Sequence, residues 1–169
     1  MLRIKKLKIC SNIYCFRILS IIATLVWMSI IYFLSSQSGI ESSDLSSGIT
    51  EAVVQIIIQS SPTIKLDESL VETFMRSIGH FSLYFVLGVL VFNSVYRKRK
   101  TKIYNFLIAS SISILYAISD ELHQLYVDNR AAEVIDIIID SFGVIIGISI
   151  YILLLSYIDF KKSRKHIKD

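Results

Sequence analysis

Proline is nearly absent from this chain: its 169 residues include one, Pro62. The long apolar segments therefore run without the residue that kinks or ends helices. That argues against the interrupted spans of secondary transporters, and no internal repeat points the other way. Cysteine is scarce too. Cys10 and Cys15 lie together ahead of the first apolar run, so neither a disulfide framework nor a cysteine-built zinc site is expected. The chain also lacks an H-E-x-x-H pair, a G-x-S-x-G elbow, and any Walker or dinucleotide loop. Covalent catalysis and nucleotide chemistry have no support, and catalytic residues stay unassigned. No cofactor and no metal is expected; an oxygen-rich Ca²⁺ or Mg²⁺ site is the alternative left open.

What is present is apolar. Hydrophobic residues make up 53% of the chain and mean hydropathy is +0.59. Ordinary proteins reach about 45–50% only when glycine is included. The excess is concentrated in four blocks, near 18–34, 77–96, 103–119 and 134–157. Each approaches the roughly 20 residues that cross a bilayer as a helix. The expected fold is all-α: a polytopic membrane protein with four transmembrane helices. A basic head before an apolar run also describes a signal peptide. Here the run is long, no A-x-A-like site follows, and three further blocks come after it, so it reads as a span. The division expected is a basic N-terminus over 1–17, one membrane domain over 18–157 and a basic tail over 158–169.

The formal net charge of +4 does not suggest nucleic acid, because the basic residues flank the spans. Five Lys/Arg precede the first block, five lie in 97–102 and five in the tail, 15 of 18 in all. Only Lys65, Arg76 and Arg130 fall on the opposite side. By the positive-inside rule both termini are cytoplasmic, in what is expected to be a bacterial cytoplasmic membrane. The bilayer itself is the first partner.

The connection over 35–76 opens on the serine-rich SSQSGIESSDLSSG. Leu45, Ile49, Ala52, Val53, Ile56 and Ile57 then recur at helical spacing. This predicts an extracytoplasmic amphipathic helix lying on the membrane between the first and second spans. Ser60, Ser61 and Pro62 break it. Asp67 and Glu68 suit the start of the next helix, by capping and by the helix dipole.

This topology gathers polar residues from four segments at the outer leaflet. Ser35, Ser36 and Gln37 leave the first span there; Arg76 and His80 enter the second. Asp120, Glu121, His123 and Gln124 leave the third; Arg130, Asp136 and Asp140 lead into the fourth. Ser113, Ala117, Asp120 and Gln124 fall at i, i+4, i+7 and i+11, one helical stripe. Asp136, Asp140, Gly143 and Gly147 repeat that spacing, and the last two form a GxxxG that lets another helix approach closely. His80, Tyr84 and Gly88 make a third stripe. At about 1.5 Å per residue, Asp140 sits roughly 9 Å inside its span. A charge within a span costs on the order of 2.5–3.5 kcal/mol on insertion scales, so it needs a partner or a task.

The candidate cluster is therefore Ser36, Gln37, Arg76, His80, Tyr84, Asp120, Glu121, Gln124, Arg130, Asp136 and Asp140, with Gly88, Gly143 and Gly147 as packing positions. Each has a plainer reading. Asp120 and Glu121 can be a solvated rim, Asp136 a local partner of Arg130 or Arg76, and Asp140 a structural acceptor. His80 can be structural, and His123 and His166 read as surface residues.

Three pieces, YFLSSQSG at 32–39, H-F-x-x-Y-x-x-L-G from His80 to Gly88, and DELHQ at 120–124, resemble the VanZ-like family. Arg130, Asp136, Asp140, Gly143 and Gly147 follow at that family's spacing, so the likeness runs from about Tyr32 to Gly147. These are small bacterial membrane proteins named for a teicoplanin-resistance accessory protein. One departure is Ser77, where members commonly carry Lys after the Arg; the outer cluster has one cation fewer. The resemblance implies a four-span fold in the cell envelope and, for the named member, antibiotic resistance through lower susceptibility to a lipoglycopeptide. It implies no settled chemistry. Three functions stay open: binding of an envelope lipid, lipid-linked precursor or lipoglycopeptide head group; an intramembrane hydrolase or transferase; and a structural partner in a membrane assembly.

Overall fold

The computed structural model describes residues 2–38, 47, 48, 50–56, 67–130 and 132–166, with side chains from Phe16 to Arg164 apart from Glu68. Four long helices carry the fold: α1 (Leu2–Ser35), α2 (Glu68–Val95), α3 (Lys102–Gln124) and α4 (Val134–His166). No strand occurs among the described residues. Each helix contains a stretch long and apolar enough to cross a membrane: Phe16–Ser35, Ser69–Val95, Lys102–Gln124 and Val134–Arg164. The chain is a polytopic helical membrane protein.

The helices outrun the apolar blocks. α1 begins at Leu2 and α4 reaches His166, so much of the basic sequence at both termini is helical. Neither helix contains an internal proline, and Lys and Arg are good helix formers. α3 continues past the apolar block through Gln124, in keeping with the helical stripe through Asp120 and Gln124. Its last turn carries the polar stripe, and packing on neighbouring helices keeps that turn helical.

The helix starts follow local chemistry. Asp67 caps α2 by accepting from Ser69 N–H at 3.1 Å, as its position suggested. Thr101 caps α3 through Tyr104 N–H at 3.1 Å. The α2–α3 turn is closed by buried Asn105, which accepts from Arg97 N–H and donates to the carbonyls of Arg97 and Thr101. The residues described between α1 and α2 include a helical stretch over 50–56. Its packed side is Thr50 and Val54, with Val53 half-buried, whereas Ala52 and Ile56 are exposed. Of the three described positions of the expected surface face, Ala52 and Ile56 are turned outward and Val53 is half-buried; Leu45, Ile49 and Ile57 lie outside the described residues.

Short α2–α3 and α3–α4 connections alternate the helix directions, so α2 and α4 run parallel. The contacts keep one register: Arg76 meets Asp136, His80 meets Asp140, and Tyr151 donates to Asn93 at 2.7 Å. α2 is central, touching α1, α3 and α4. Its approach to α4 is close because Gly143 and Gly147 of α4 lie against the backbone of Phe81 and Phe85. Gly88 of α2 meets Val144 in the same way.

The interior mixes apolar and small polar groups. Ile31, Tyr84, Leu87, Val91, Phe92, Ala109, Ala117, Val144 and Ile148 form its apolar core. Thr24 and Ser94 share a 2.8 Å hydrogen bond between α1 and α2. Trp27 donates to the Leu83 carbonyl at 2.9 Å, and Tyr116 to that of Met28 at 2.7 Å. The outside is apolar, with Phe16, Leu25, Phe33, Leu70, Phe74, Leu115 and Leu153 all more than half exposed. A lipid solvent reverses the usual incentive in this way, since tails accept apolar side chains and polar groups do better inside.

Candidate functional site

At one end of the bundle the three stripes face each other. Arg76, His80 and Tyr84 succeed one another every four residues along α2, and each reaches a different carboxylate. Arg76 Nη2 donates to Asp136 Oδ2 at 3.2 Å. His80 Nδ1 lies 3.3 Å from Asp140 Oδ1 without the alignment of a hydrogen bond. Tyr84 Oη donates to Asp120 Oδ2 at 3.1 Å. The first two contacts join α2 to α4, and the third joins it to α3. Asp136, in the first turn of α4, also benefits from the positive end of that helix.

A second set closes the site on α1. Gln124 Nε2 donates to Ser35 Oγ at 2.8 Å, and Arg130 Nη1 to the Ser35 carbonyl at 3.3 Å. Arg130 follows Asn129, whose φ of 58° is the left-handed backbone that Asn tolerates better than most residues. Burial, and then the Arg76 charge, push the Arg130 guanidinium below its ordinary range, while Asp120, Glu121 and Asp136 pull it back. A guanidinium remains charged in any case. From α3, Glu121 Oε2 accepts Glu133 N–H at 3.0 Å, just ahead of α4.

Most of these side chains are shut away. Asp140 and Gln124 are 0% exposed, Glu121 2%, Asp136 4% and Asp120 5%. Arg76 is the opening, with 39% of its side chain accessible. Among the described residues, the cluster holds eight of the eleven buried side-chain polar atoms without a hydrogen-bond partner. They include Glu121 Oε1, both oxygens of Asp140, and the Nε atoms of Arg76 and Arg130. Buried polar groups are ordinarily satisfied by protein, ordered water or an ion, so this concentration sets the end of the bundle apart from the rest of the interior. One ligand atom each from His80, Glu121 and Asp136 lies within 4.8 Å of the others.

Of the residues singled out from the sequence, Arg76, His80, Tyr84, Asp120, Glu121, Gln124, Arg130, Asp136 and Asp140 come together here. Ser36 sits at the rim, where it donates to the Tyr32 carbonyl at 2.7 Å and shares a 3.1 Å hydrogen bond with His123 Nε2. Gln37 follows it in the turn leaving α1, its N–H on the Leu34 carbonyl. Ser77 bonds back to the Thr73 carbonyl and stays out of the cluster. Gly88, Gly143 and Gly147 are packing positions.

The structure gives two further residues a part in the cluster. His123 is no free surface group, for it stacks on Tyr32 with ring centroids 4.7 Å apart. Ser35 was left out of the candidate cluster, yet it is the buried serine that Gln124 and Arg130 both reach. A signal for it exists: Thr24, Met28, Ile31 and Ser35 fall at i, i+4, i+7 and i+11, the spacing that exposed the stripes of α3 and α4.

Chemically the site is two guanidiniums at the bundle end, Arg76 held by the Asp136 carboxylate and Arg130 by the Ser35 carbonyl, with a half-buried imidazole and further acidic oxygens beside them. A family model described as VanZ/LLP1 matches residues 20–155. No curated protein and no solved structure matches the chain.

Proposed function

The chain belongs to the VanZ/LLP1 family, and on that premise we propose that its polar cluster binds the head group of an envelope lipid, lipid-linked precursor or lipoglycopeptide. The site would face the outer leaflet of a bacterial cytoplasmic membrane with both termini inside, and binding would lower susceptibility to teicoplanin-type lipoglycopeptides. The carrying observation is the Arg76–Asp136 pair beside Arg130. One carboxylate anchors Arg76, 39% of whose side chain is accessible, and its buried Nε has no hydrogen-bond partner in the protein. Guanidiniums recognise phosphate or carboxylate through paired N–H groups. Ser36 and Gln37 at the rim add groups suited to sugar or peptide.

The reading is tested in a teicoplanin-sensitive Gram-positive host expressing wild type, Arg76→Ala, Arg76→Lys and Asp140→Asn at matched membrane levels. Wild type is expected to protect, and all three variants to lose most of that protection. Lys keeps the charge but not the planar fork, so its failure would identify paired recognition. Equal susceptibility in every strain would remove the resistance part, leaving lipid binding to be measured by native mass spectrometry. Time-dependent product formation from an envelope lipid, lost in Asp140→Asn, would instead favour an intramembrane enzyme.

Orientation has its own check. In a Cys10→Ser/Cys15→Ser background, Ser36→Cys is expected to react with a membrane-impermeant maleimide in intact cells. Lys98→Cys should react only after permeabilisation, and the opposite pattern would invert the topology.

A further inference from the structure

We propose that His80, Glu121 and Asp136 bind a divalent cation of the Zn²⁺ or Mn²⁺ kind inside the bundle. The inference stands whether or not a head group binds above it. The three residues come from α2, α3 and α4, and no sequence motif links them; only the packing brings their ligand atoms within 4.8 Å of one another. Metal–ligand bonds of about 2.0–2.2 Å set ligand atoms roughly 3–4 Å apart, so inward side-chain movement of about 1 Å brings three protein ligands onto one ion and leaves the remaining position to water.

The oxygens themselves point to a ligand. Glu121 is 2% exposed; Glu133 N–H occupies its Oε2, and its Oε1 has no donor. Asp136 spends Oδ2 on Arg76. Asp140, fully buried, has no donor on either oxygen and lies 3.3 Å from His80 Nδ1, a further acidic group beside the same ring. Charge leads to the same place. Four carboxylates, Asp120, Glu121, Asp136 and Asp140, face two guanidiniums, leaving an excess of two acidic groups that a low-dielectric interior requires to be neutralised by protons or by another cation. A divalent cation balances them. One imidazole with two carboxylates suits Zn²⁺, or Mn²⁺ in a mixed nitrogen–oxygen set, better than Mg²⁺ or Ca²⁺, which favour oxygen throughout.

The test uses full-length protein in detergent, freed of metal with EDTA and carrying no histidine tag. Zn²⁺ is titrated by calorimetry into wild type, Glu121→Gln, Asp136→Asn and the tail variant Asp159→Asn. Wild type and Asp159→Asn are expected to take one ion per chain at micromolar or lower Kd, with a rise in Tm. Glu121→Gln and Asp136→Asn should bind at least tenfold more weakly. The wild-type zinc complex is also read by X-ray absorption, so the outcome does not depend on variants that fold poorly. One imidazole with oxygen ligands is expected. No saturable binding, unchanged affinity in both ligand variants, or sulfur ligation from Cys10 and Cys15 would each overturn the site.

Discussion

Gly147→Val is expected to cost about 3 kcal/mol of bundle stability, the upper end for forcing added carbons into a packed interior, and Gly143→Val about the same. A Cβ at 147 would stand 2.5 Å from the Phe85 carbonyl oxygen, and one at 143 would stand 2.5 Å from that of Phe81. Both obstacles are backbone, which cannot rotate aside. The helices would have to separate, and that would undo the register in which Arg76 faces Asp136 and His80 faces Asp140. Gly79 supplies the control on the same helix pair. A Cβ there meets nothing within 4 Å, so Gly79→Ala should be neutral or slightly stabilising, since Ala exceeds Gly in helix propensity by about 1 kcal/mol. Thermal unfolding in detergent, with yield of monodisperse protein, reads both. Valine accepted at 147 with unchanged Tm would mean that α2 and α4 do not pack through this face.

Arg76→Ala is expected to destabilise the metal-free protein by about 2 kcal/mol. Breaking a buried ion pair costs about 3–5 kcal/mol because one charge is left uncompensated, whereas exposed pairs contribute about 0–1. This pair stands between those limits: 39% of the Arg76 side chain is accessible but only 6% of that of Asp136. The two partners should also behave unequally. Removing Arg76 adds to an existing excess of negative charge, while Asp136→Asn relieves it. Asp136→Asn alone is therefore expected to cost less, and Arg76→Ala added to it should cost about 1 kcal/mol less than in the wild type. Chemical unfolding of the four proteins in EDTA measures the cycle. Additive effects, with no coupling, would show that the pair adds nothing beyond its separate contacts.

Local pattern carried much of this protein. The lack of proline, the four apolar blocks and the helical stripes through Asp120, Asp140 and Tyr84 are properties of single segments. A 3.6-residue period and a 20-residue span length suffice to read them. The same pattern assigned eleven charged and polar residues to one end of the bundle, nine of which come together there, because alternating spans leave little choice about which ends meet. It also marked Gly143 and Gly147 as a close-approach face. What it left open was the partner of each group. Asp136 suited Arg130 as well as Arg76, and Ser36 rather than Ser35 entered the candidate cluster. Those choices depend on how far each helix is rotated and slid against its neighbours, and no single segment encodes that. The Phe81 and Phe85 backbone seated on Gly143 and Gly147 sets α4 against α2, so that Asp136 lies beside Arg76 and Asp140 beside His80. The α1–α3 contact turns Ser35 inward to Gln124 and leaves Ser36 at the rim with His123. The sequence by itself determined that four helices cross a membrane and which polar residues share an end. Only the tertiary structure decided which of them touch, because contact between helices is set by packing across segments far apart in the chain.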